Sequence, residues 1–175
     1  DRKVAQKILS TYLNLLTVYP DQPYDQPEVL HPIDGVPIIT PDNCGDFSRL
    51  FPKEEKTLEL VRQKIEAGER VLIYTSWTRT DSQQKLLKLL RESGYRTDIL
   101  TPQIPTEKRE EWVEKRVKNG LQVLITNPRC VETGLDLNAF TTLIFYSMGY
   151  TLFPLRQSSR RSWRINQMAP RVEVY

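Results

Sequence analysis

Residues 67–74, AGERVLIY, contain the pattern that decides the fold. A charged, helix-forming run ends at Gly68, a residue suited to the left-handed position that closes a helix, and the apolar run Val71 to Tyr74 follows. The same order returns at Ser93-Gly94 and at Asn119-Gly120, and each glycine lies 26 positions after the previous one. About this many residues make one helix-plus-strand unit. The sequence therefore predicts stacked βαβ units.

Four apolar runs predict the strands of the sheet: Val71 to Tyr74, Thr97 to Leu100, Val123 to Ile125 and Thr142 to Tyr146. The last run is dense in β-branched and aromatic residues, which is typical of a strand covered on both faces. We therefore expect an α/β fold with an open, mostly parallel sheet and helices on both faces. Such sheets bind ligands beyond the carboxyl ends of their strands, so the functional site is expected in the loops there.

Residues 1–52 are expected to form an N-terminal helix and a linker arm ahead of a domain over residues 53–175. Apolar residues at three- and four-residue steps between Arg2 and Leu16 predict an amphipathic helix. Six prolines between Pro20 and Pro41 remove backbone donors and predict a segment without regular structure. This composition fits a linker between two lobes and an ordered surface loop equally well. Because the chain opens without a methionine, we expect it to be a piece of a longer protein.

The composition excludes several classes of protein. With 175 residues, 39% of them hydrophobic, and a net charge of only +3, the chain fits one soluble domain, and a nucleic-acid surface would be a local patch. Two distant cysteines and a single histidine support neither a disulfide scaffold nor a zinc site, which favours a reducing cytoplasm. No apolar run reaches the roughly 20 residues of a membrane helix, so no membrane partner is expected.

The sequence also lacks a complete ATP-hydrolysing site. None of its glycines belongs to a G-x-x-x-x-G-K-[ST] phosphate loop, and no G-x-G-x-x-G dinucleotide loop occurs. A nucleophilic triad would depend on His31, which lies in the proline-rich arm. Covalent catalysis by this chain alone is therefore not expected.

The most informative segment is residues 157–167, QSSRRSWRINQ. If it is helical, Gln157, Arg161 and Arg164 lie on one stripe with Arg160 beside them. The planar guanidinium group suits phosphate oxygens and keeps its charge, so this face could bind an anion. The alternative is a solvated basic helix with local carboxylate partners. Since residues 138–171 contain no Asp or Glu, the anion-binding interpretation is favoured.

Residues 126–137, TNPRCVETGLDL, follow a predicted strand and form a second candidate. Gly134 would let the backbone approach a ligand closely, and Asp136 offers an acceptor for a sugar hydroxyl or an arginine. A helix N-cap or turn role for Asp136 is the alternative. Cys130 is expected to be a small buried thiol.

Residues 71–80, VLIYTSWTRT, are the third candidate, because an apolar strand ends in a row of short hydroxyls. Hydroxyls and exposed backbone amides at a strand end suit phosphate oxygens. They suit helix capping equally well, and Asp81 could start the next helix.

Taken in order, these segments resemble the second RecA-like lobe of superfamily-two helicases, closest to the Swi/Snf-type double-stranded DNA translocases. VLIYTSW is similar to the family's motif IV, NPRCVETGLDL to motif V, and QSSRRSWRINQ to motif VI, commonly Q-x-x-x-R-x-x-R-I-G-Q in the Swi/Snf group. The tail PRVEVY resembles the P-V-x-V-Y that follows motif VI there. Asn166 stands where the motif has glycine, and Arg160 where an acid or glycine is common. The resemblance runs from about Lys53 to Tyr175.

The resemblance implies the C-terminal motor lobe of an ATP-dependent DNA helicase or translocase. ATP with Mg²⁺ would be held mainly by an N-terminal lobe of the same parent chain, and DNA, in double-stranded form, would be the other partner. The isolated chain is then expected to be inactive as an ATPase. The resemblance assigns a catalytic role as arginine fingers to Arg161 and Arg164, nucleotide contacts to Gln157, Gly134 and Asp136, and contacts with the nucleic-acid backbone to Thr75, Ser76 and Thr126.

Two other functions remain open from the sequence. The chain could be the nucleotide-sugar-binding half of a glycosyltransferase, which has a similar parallel build, although no residues for the donor are evident. It could also be an inactive interaction domain that keeps the RecA-like fold. Binding of a nucleotide sugar, or a parent protein without a phosphate-loop lobe, would favour one or the other.

Overall fold

The computed structural model describes residues 2–76, 81–131, 135–147, 149, 153–162, 167 and 169–175. The chain divides into two compact units, one ending at Lys53 and the other spanning Glu54–Tyr175. The functional division into an arm over residues 1–52 and a lobe over residues 53–175 stays a prediction.

The first unit contains one long helix and a small hairpin. Helix α1 spans Arg2–Val18, which confirms the predicted amphipathic helix. Strands β1, Val29–Leu30, and β2, Pro37–Ile39, pair antiparallel, so the expectation of no regular structure in the proline-rich arm was wrong here. The prolines are compatible with the hairpin because Pro32 lies in its turn and Pro37 begins its strand, where a missing N–H group breaks no ladder.

The second unit alternates helices and strands as the repeated pattern predicts. Its helices are α2, Pro52–Glu66, which begins at the end of the first unit, α3, Ser82–Glu92, α4, Arg109–Lys118, and α5, Phe153–Ser159. Its strands are β3, Val71–Tyr74, β4, Thr97–Leu100, β5, Val123–Thr126, β6, Thr142–Phe145, and β7, Glu173–Val174. Over the described residues, we find no helix with both the length and the apolar character to cross a membrane.

The five strands form one sheet in the order β4-β5-β3-β6-β7, with every neighbouring pair parallel. This confirms the predicted open parallel α/β fold. The last strand, β7, was not predicted, because two residues carry no readable alternation. A helix also contacts this strand: Lys64 of α2 forms an ion pair with Glu173, and its Nζ lies 5.6 Å from the centre of the Tyr175 ring.

The central strand β3 is covered on both faces. Leu72 and Tyr74 belong to a core that includes Val113 of α4, whereas Val71 and Ile73 belong to a second core formed with α2 and α3. All four β3 side chains are fully buried. This explains why the strand is a continuous apolar run and not an alternating one.

The glycines that end the helical runs adopt the backbone conformation that the pattern requires. The φ angles of Gly68, Gly94 and Gly120 are +78°, +87° and +86°, which side chains other than glycine rarely adopt. Each helix therefore stops at a fixed point, and each following strand enters the sheet in the same direction.

Candidate functional site

Three strands end together at the carboxyl edge of the sheet and are joined there by a polar network. The Ser76 N–H group, just after β3, donates to Ser147 Oγ after β6 at 2.5 Å, and Ser76 Oγ donates to the Ser147 carbonyl at 3.0 Å. Asn127, just after β5, donates from Nδ2 to the Ser76 carbonyl at 3.0 Å. We call Ser76, Asn127 and Ser147 the strand-end bridge. It fixes Ser76, at the start of the loop after β3, relative to both neighbouring strands.

The two threonines predicted to contact nucleic acid lie beside this bridge and are fully buried. The Thr75 N–H group donates to the Thr126 carbonyl at 3.0 Å, and Gln83 of α3 donates to Thr75 Oγ1 at 2.6 Å. Thr126 Oγ1 donates to the Leu100 carbonyl at 3.1 Å. Of the three predicted backbone-contact residues, only Ser76 is partly exposed. Their contacts with nucleic acid stay predictions, and the threonine hydroxyls serve here to hold the strand ends.

The segments that resemble motifs V and VI meet at the same edge. The Leu137 N–H group donates to the Arg161 carbonyl at 3.2 Å, which places Arg161 against the residue that follows Asp136. The side chain of Tyr74, at the end of β3, donates from Oη to the Ser158 carbonyl in α5 at 3.2 Å. The structure therefore brings Arg161, Asp136 and the end of β3 into one neighbourhood.

The expected helical stripe of Gln157, Arg161 and Arg164 is not formed in the residues described. Helix α5 ends at Ser159, and Arg161 lies in a turn in which its N–H group donates to the Ser158 carbonyl at 3.1 Å. Just beyond the helix, the Arg161 carbonyl accepts from the Leu137 N–H group, and the Ser162 carbonyl accepts from Gln167 Nε2 at 2.7 Å.

The predicted site residues differ in their exposure to solvent. Gln157, Asp136 and Arg161 are half-buried, while Arg156 and Arg160 are exposed. Arg164 and Gly134 lie outside the described residues.

The structure also bears on the alternative roles considered for Asp136 and on the expected burial of Cys130, both in the segment that resembles motif V. No helix begins at Asp136 within residues 135–147, so the N-cap interpretation was wrong there. A turn follows instead, with the Phe140 N–H group donating to the Leu137 carbonyl at 3.0 Å. Cys130 is buried, as expected of a small apolar thiol.

The Tyr74 phenol is the clearest electrostatic feature of this neighbourhood. Its burial raises its pKa well above the ordinary value near 10, and the positive charge of Arg161 lowers the pKa only partly. The phenol therefore stays neutral and keeps its proton for the Ser158 carbonyl. Arg161 lies close enough for its charge to act on a group at the end of β3.

Replacing Tyr74 by phenylalanine is expected to lower the free energy of unfolding by about 1 kcal/mol at pH 8, through the lost hydrogen bond. In the unfolded chain the phenol ionises near pH 10, whereas in the folded chain it stays protonated to higher pH. Stability from this raised pKa is therefore present below pH 10 and lost above it. The difference between the two proteins should shrink by about 1 kcal/mol at pH 11.

Urea unfolding followed by tryptophan fluorescence at both pH values measures this effect. All three tryptophans lie in residues 54–175, so the signal reports on the second unit. An equal difference at pH 8 and pH 11 would show that the Tyr74 hydroxyl is not protected as the structure indicates.

Sequence reasoning missed several residues that build the site. Ser147 follows a strand as Ser76 does, so the same rule would have found it. Asn127 precedes a proline, which marks a turn, and its Oδ1 accepts from the Arg129 N–H group at 2.9 Å. The sequence around Arg109 did not indicate its role, because its partner is distant in the chain. Arg109 is buried, and its Nη1 donates to the Cys130 carbonyl at 2.9 Å.

The family model of the helicase conserved C-terminal domain matches residues 52–166. This chain belongs to that family. The match includes the segments that resemble motifs IV and V and all but the last residue of the motif VI segment. The resemblance to the second lobe of superfamily-two helicases is thereby confirmed.

Individual proteins are similar to this helicase C-terminal domain in sequence or in fold. The chromatin-remodeling ATPase INO80 of Mus musculus is 26% identical over 153 residues, covering 82% of this chain and 10% of that protein. This chain therefore spans about a tenth of the relative's length.

Two solved structures share the fold. The C-terminal part of the Fun30 ATPase domain has a TM-score of 0.63 at 18% identity, over 70% of this chain and 39% of that one. The Hef helicase domain of Pyrococcus furiosus has a TM-score of 0.51 at 18% identity, over 71% and 24%. These likenesses establish the RecA-like fold of the helicase C-terminal domain.

Proposed function

We propose that this helicase C-terminal domain is the second motor lobe of an ATP-dependent DNA translocase or helicase. The meeting of three segments at one sheet edge supports this most directly. Tyr74 ends β3 and binds Ser158 of α5, while Leu137 binds Arg161 just beyond that helix. The segment that would face the nucleotide and the segment that would face nucleic acid are therefore linked by hydrogen bonds between a few residues.

Arg161 is the proposed arginine finger within the described residues, and Arg164 is its partner by sequence. A guanidinium group can donate parallel hydrogen bonds to phosphate oxygens and cannot lose its charge, so it stabilises charge that develops on a transferring phosphoryl group. Gln157 and Asp136, both half-buried near this point, would orient the nucleotide, with Gly134 allowing close approach of the backbone.

ATP, when bound, supplies the γ-phosphoryl group toward which the arginines would point. The chain's donor set fits that role, since Arg161 lies in the same neighbourhood as the motif V acid, Asp136. It does not supply a complete site, because the sequence has no G-x-x-x-x-G-K-[ST] loop. The phosphate loop and the Mg²⁺ ligands are expected from a first lobe, and this lobe would complete the pocket by closing on it.

Coupling to nucleic acid would run through the end of β3. Tyr74 is fixed to α5, and the next two residues carry the bond to Gln83 and the strand-end bridge. A shift of α5 toward the nucleotide would therefore be transmitted to Thr75 and Ser76, at the start of the loop after β3. Different affinities of the closed state for ATP and ADP would then drive movement along DNA.

Turnover measurements test this proposal. The 175-residue chain alone should release no phosphate from ATP, while a protein that joins it to its phosphate-loop lobe should be stimulated by duplex DNA. Because phosphate contacts release counterions, binding of the DNA should weaken as salt rises. Turnover by the chain alone, equal stimulation by duplex RNA, or binding that is insensitive to salt would each contradict the proposal.

A further inference from the structure

A second polar site lies at the opposite edge of the sheet, where β4 begins. It is a cavity of about 270 Å³ between the ends of α3 and α4. Three arginines, Arg91, Arg96 and Arg116, line it together with Asp98 and Asn119, and Tyr95, Thr97 and Leu121 complete the wall. We call Arg91, Arg96 and Arg116 the arginine triad. The strand β4 separates this cavity from the carboxyl edge.

Two members of the triad are held by one carboxylate. Arg91 Nη2 lies 2.8 Å from Asp98 Oδ1, and Arg116 Nη1 lies 2.8 Å from Asp98 Oδ2. Arg91 also donates from Nε to the Thr97 carbonyl at 3.0 Å, and the Arg116 guanidinium stacks over Trp112 at 4.9 Å. Both guanidinium groups are therefore fixed in orientation while about half of each side chain remains exposed to solvent.

The third member of the triad, Arg96, is positioned by a backbone carbonyl group. Its Nη1 donates to the Asn119 carbonyl at the end of α4, at 3.3 Å. A Cβ atom on Gly120 would lie 2.3 Å from that same nitrogen, so the glycine makes room for the guanidinium. Within the part of the chain that the structure describes, no carboxylate lies within ion-pair distance of Arg96.

The lining of the cavity carries an excess of two positive charges, since one carboxylate faces three guanidinium groups. Other acids nearby on the same helices already pair with lysines: Glu92 with Lys88 at 3.9 Å, and Glu114 with Lys118 at 3.6 Å. The excess charge is therefore not balanced by these neighbouring side chains.

We propose that the arginine triad binds a phosphate dianion, carried by a phosphomonoester or present as free phosphate. A phosphomonoester carries close to two negative charges at neutral pH and presents three terminal oxygens, which matches three guanidinium groups converging on one cavity. A carboxylate has half that charge and two oxygens. A nucleic-acid backbone spreads single charges along its length, whereas this cavity is confined to the space between two helix ends.

Titration calorimetry on the 175-residue chain tests the triad with three probes: inorganic phosphate, a five-residue peptide with a central phosphoserine, and the same peptide with serine. The phosphorylated peptide should bind and the serine peptide should not. Tighter binding of the peptide than of inorganic phosphate identifies a phosphorylated side chain as the source, and the reverse order identifies free phosphate. Either order supports the triad, whereas absence of binding by both phosphate probes overturns it.

Matched variants separate the triad from general positive charge. Arg96→Ala should weaken binding at least about tenfold, because charge-assisted hydrogen bonds are lost, while Arg62→Ala, an exposed arginine of α2, should leave it unchanged. Gly120→Ala should displace Arg96 and weaken binding, whereas Gly68→Ala imposes similar backbone strain with nothing within 4 Å and should not. Arg91→Lys keeps the charge but loses the planar fork, so it should weaken binding several-fold.

Two results would overturn the proposal even if phosphate bound. One is equal binding by the wild type, Arg96→Ala and Arg91→Lys, which would place the phosphate elsewhere. The other is displacement of the phosphopeptide by duplex DNA without terminal phosphates, which would make the triad a nucleic-acid contact. Circular dichroism of Gly120→Ala and Gly68→Ala that matches the spectrum of the wild type shows that both variants are folded.

Discussion

Replacing Arg161 by alanine should lower DNA-stimulated ATP turnover of a protein carrying both motor lobes by about 10³-fold or more, the range measured for arginine fingers. The structure makes this substitution informative, because the neighbouring contact of this residue uses the backbone. The Leu137 N–H group binds the Arg161 carbonyl, which alanine retains. The variant should therefore keep this backbone contact at the edge of the sheet while it loses the guanidinium group.

The effect should appear in kcat and not in ATP binding, since the proposed contact stabilises charge that develops during the reaction. Arg161→Lys should restore little, because an ammonium group cannot reproduce the planar fork. Arg156→Ala is the matched control: it removes an exposed arginine from the neighbouring helix α5 and should change turnover less than about threefold. If Arg161→Ala and Arg156→Ala proved equally active, the finger assignment would fail.

The sheet could be predicted from the sequence because its signals are local. A closing glycine followed by an apolar run is read within a few residues, and the strands β3 and β4 have the predicted bounds. Burial on both faces makes such strands uniformly apolar, so no alternation is needed to find them. Parallel order then follows from the helices between the strands.

Features that depend on distant partners could not be read in this way. The Arg161 carbonyl, just beyond α5, accepts from the Leu137 N–H group, which is 24 residues away in the sequence. The residues Arg91, Asp98 and Arg116 come together only when α3, β4 and α4 pack. Their sequence neighbourhoods are those of ordinary charged helix ends.

Only part of the candidate site could be predicted from the sequence, because some of its contacts depend on distant partners. Its position at the carboxyl edge follows from the topology, and Ser76 and Arg161 were named from their segments. The hydroxyls of Thr75 and Thr126 are buried, although a threonine that holds a strand end and one that contacts a phosphate look alike in sequence.

Removing one charge from the buried ion pair between Glu54 and Lys85 is expected to give a large loss of stability in the second unit. Lys85 Nζ lies 2.9 Å from Glu54 Oε1, and the two side chains are only 3% and 2% exposed. Lys85→Met leaves the Glu54 carboxylate buried without its cation, and such changes cost about 3–5 kcal/mol of unfolding free energy. Urea unfolding followed by tryptophan fluorescence measures the loss.

The same helix provides a matched control. Lys88 pairs with Glu92 on α3 at 3.9 Å, with both side chains more than half exposed, so Lys88→Met should cost less than about 1 kcal/mol. Replacing both partners of the buried pair, as Glu54→Leu with Lys85→Met, should recover much of the loss, because neither charge then needs a partner. Equal costs for Lys85→Met and Lys88→Met would contradict the buried pair.

The consequence should extend beyond stability to the candidate site. Lys85 lies two residues after Gln83, whose amide binds Thr75 Oγ1 at the end of β3. If α3 loosens, the loop after β3 loses that support, while the bond between Tyr74 and Ser158 remains. Lys85→Met should therefore weaken duplex DNA binding at temperatures where the second unit is still folded, whereas the double variant should restore it. DNA binding that is unchanged in Lys85→Met would show that α3 does not position this loop.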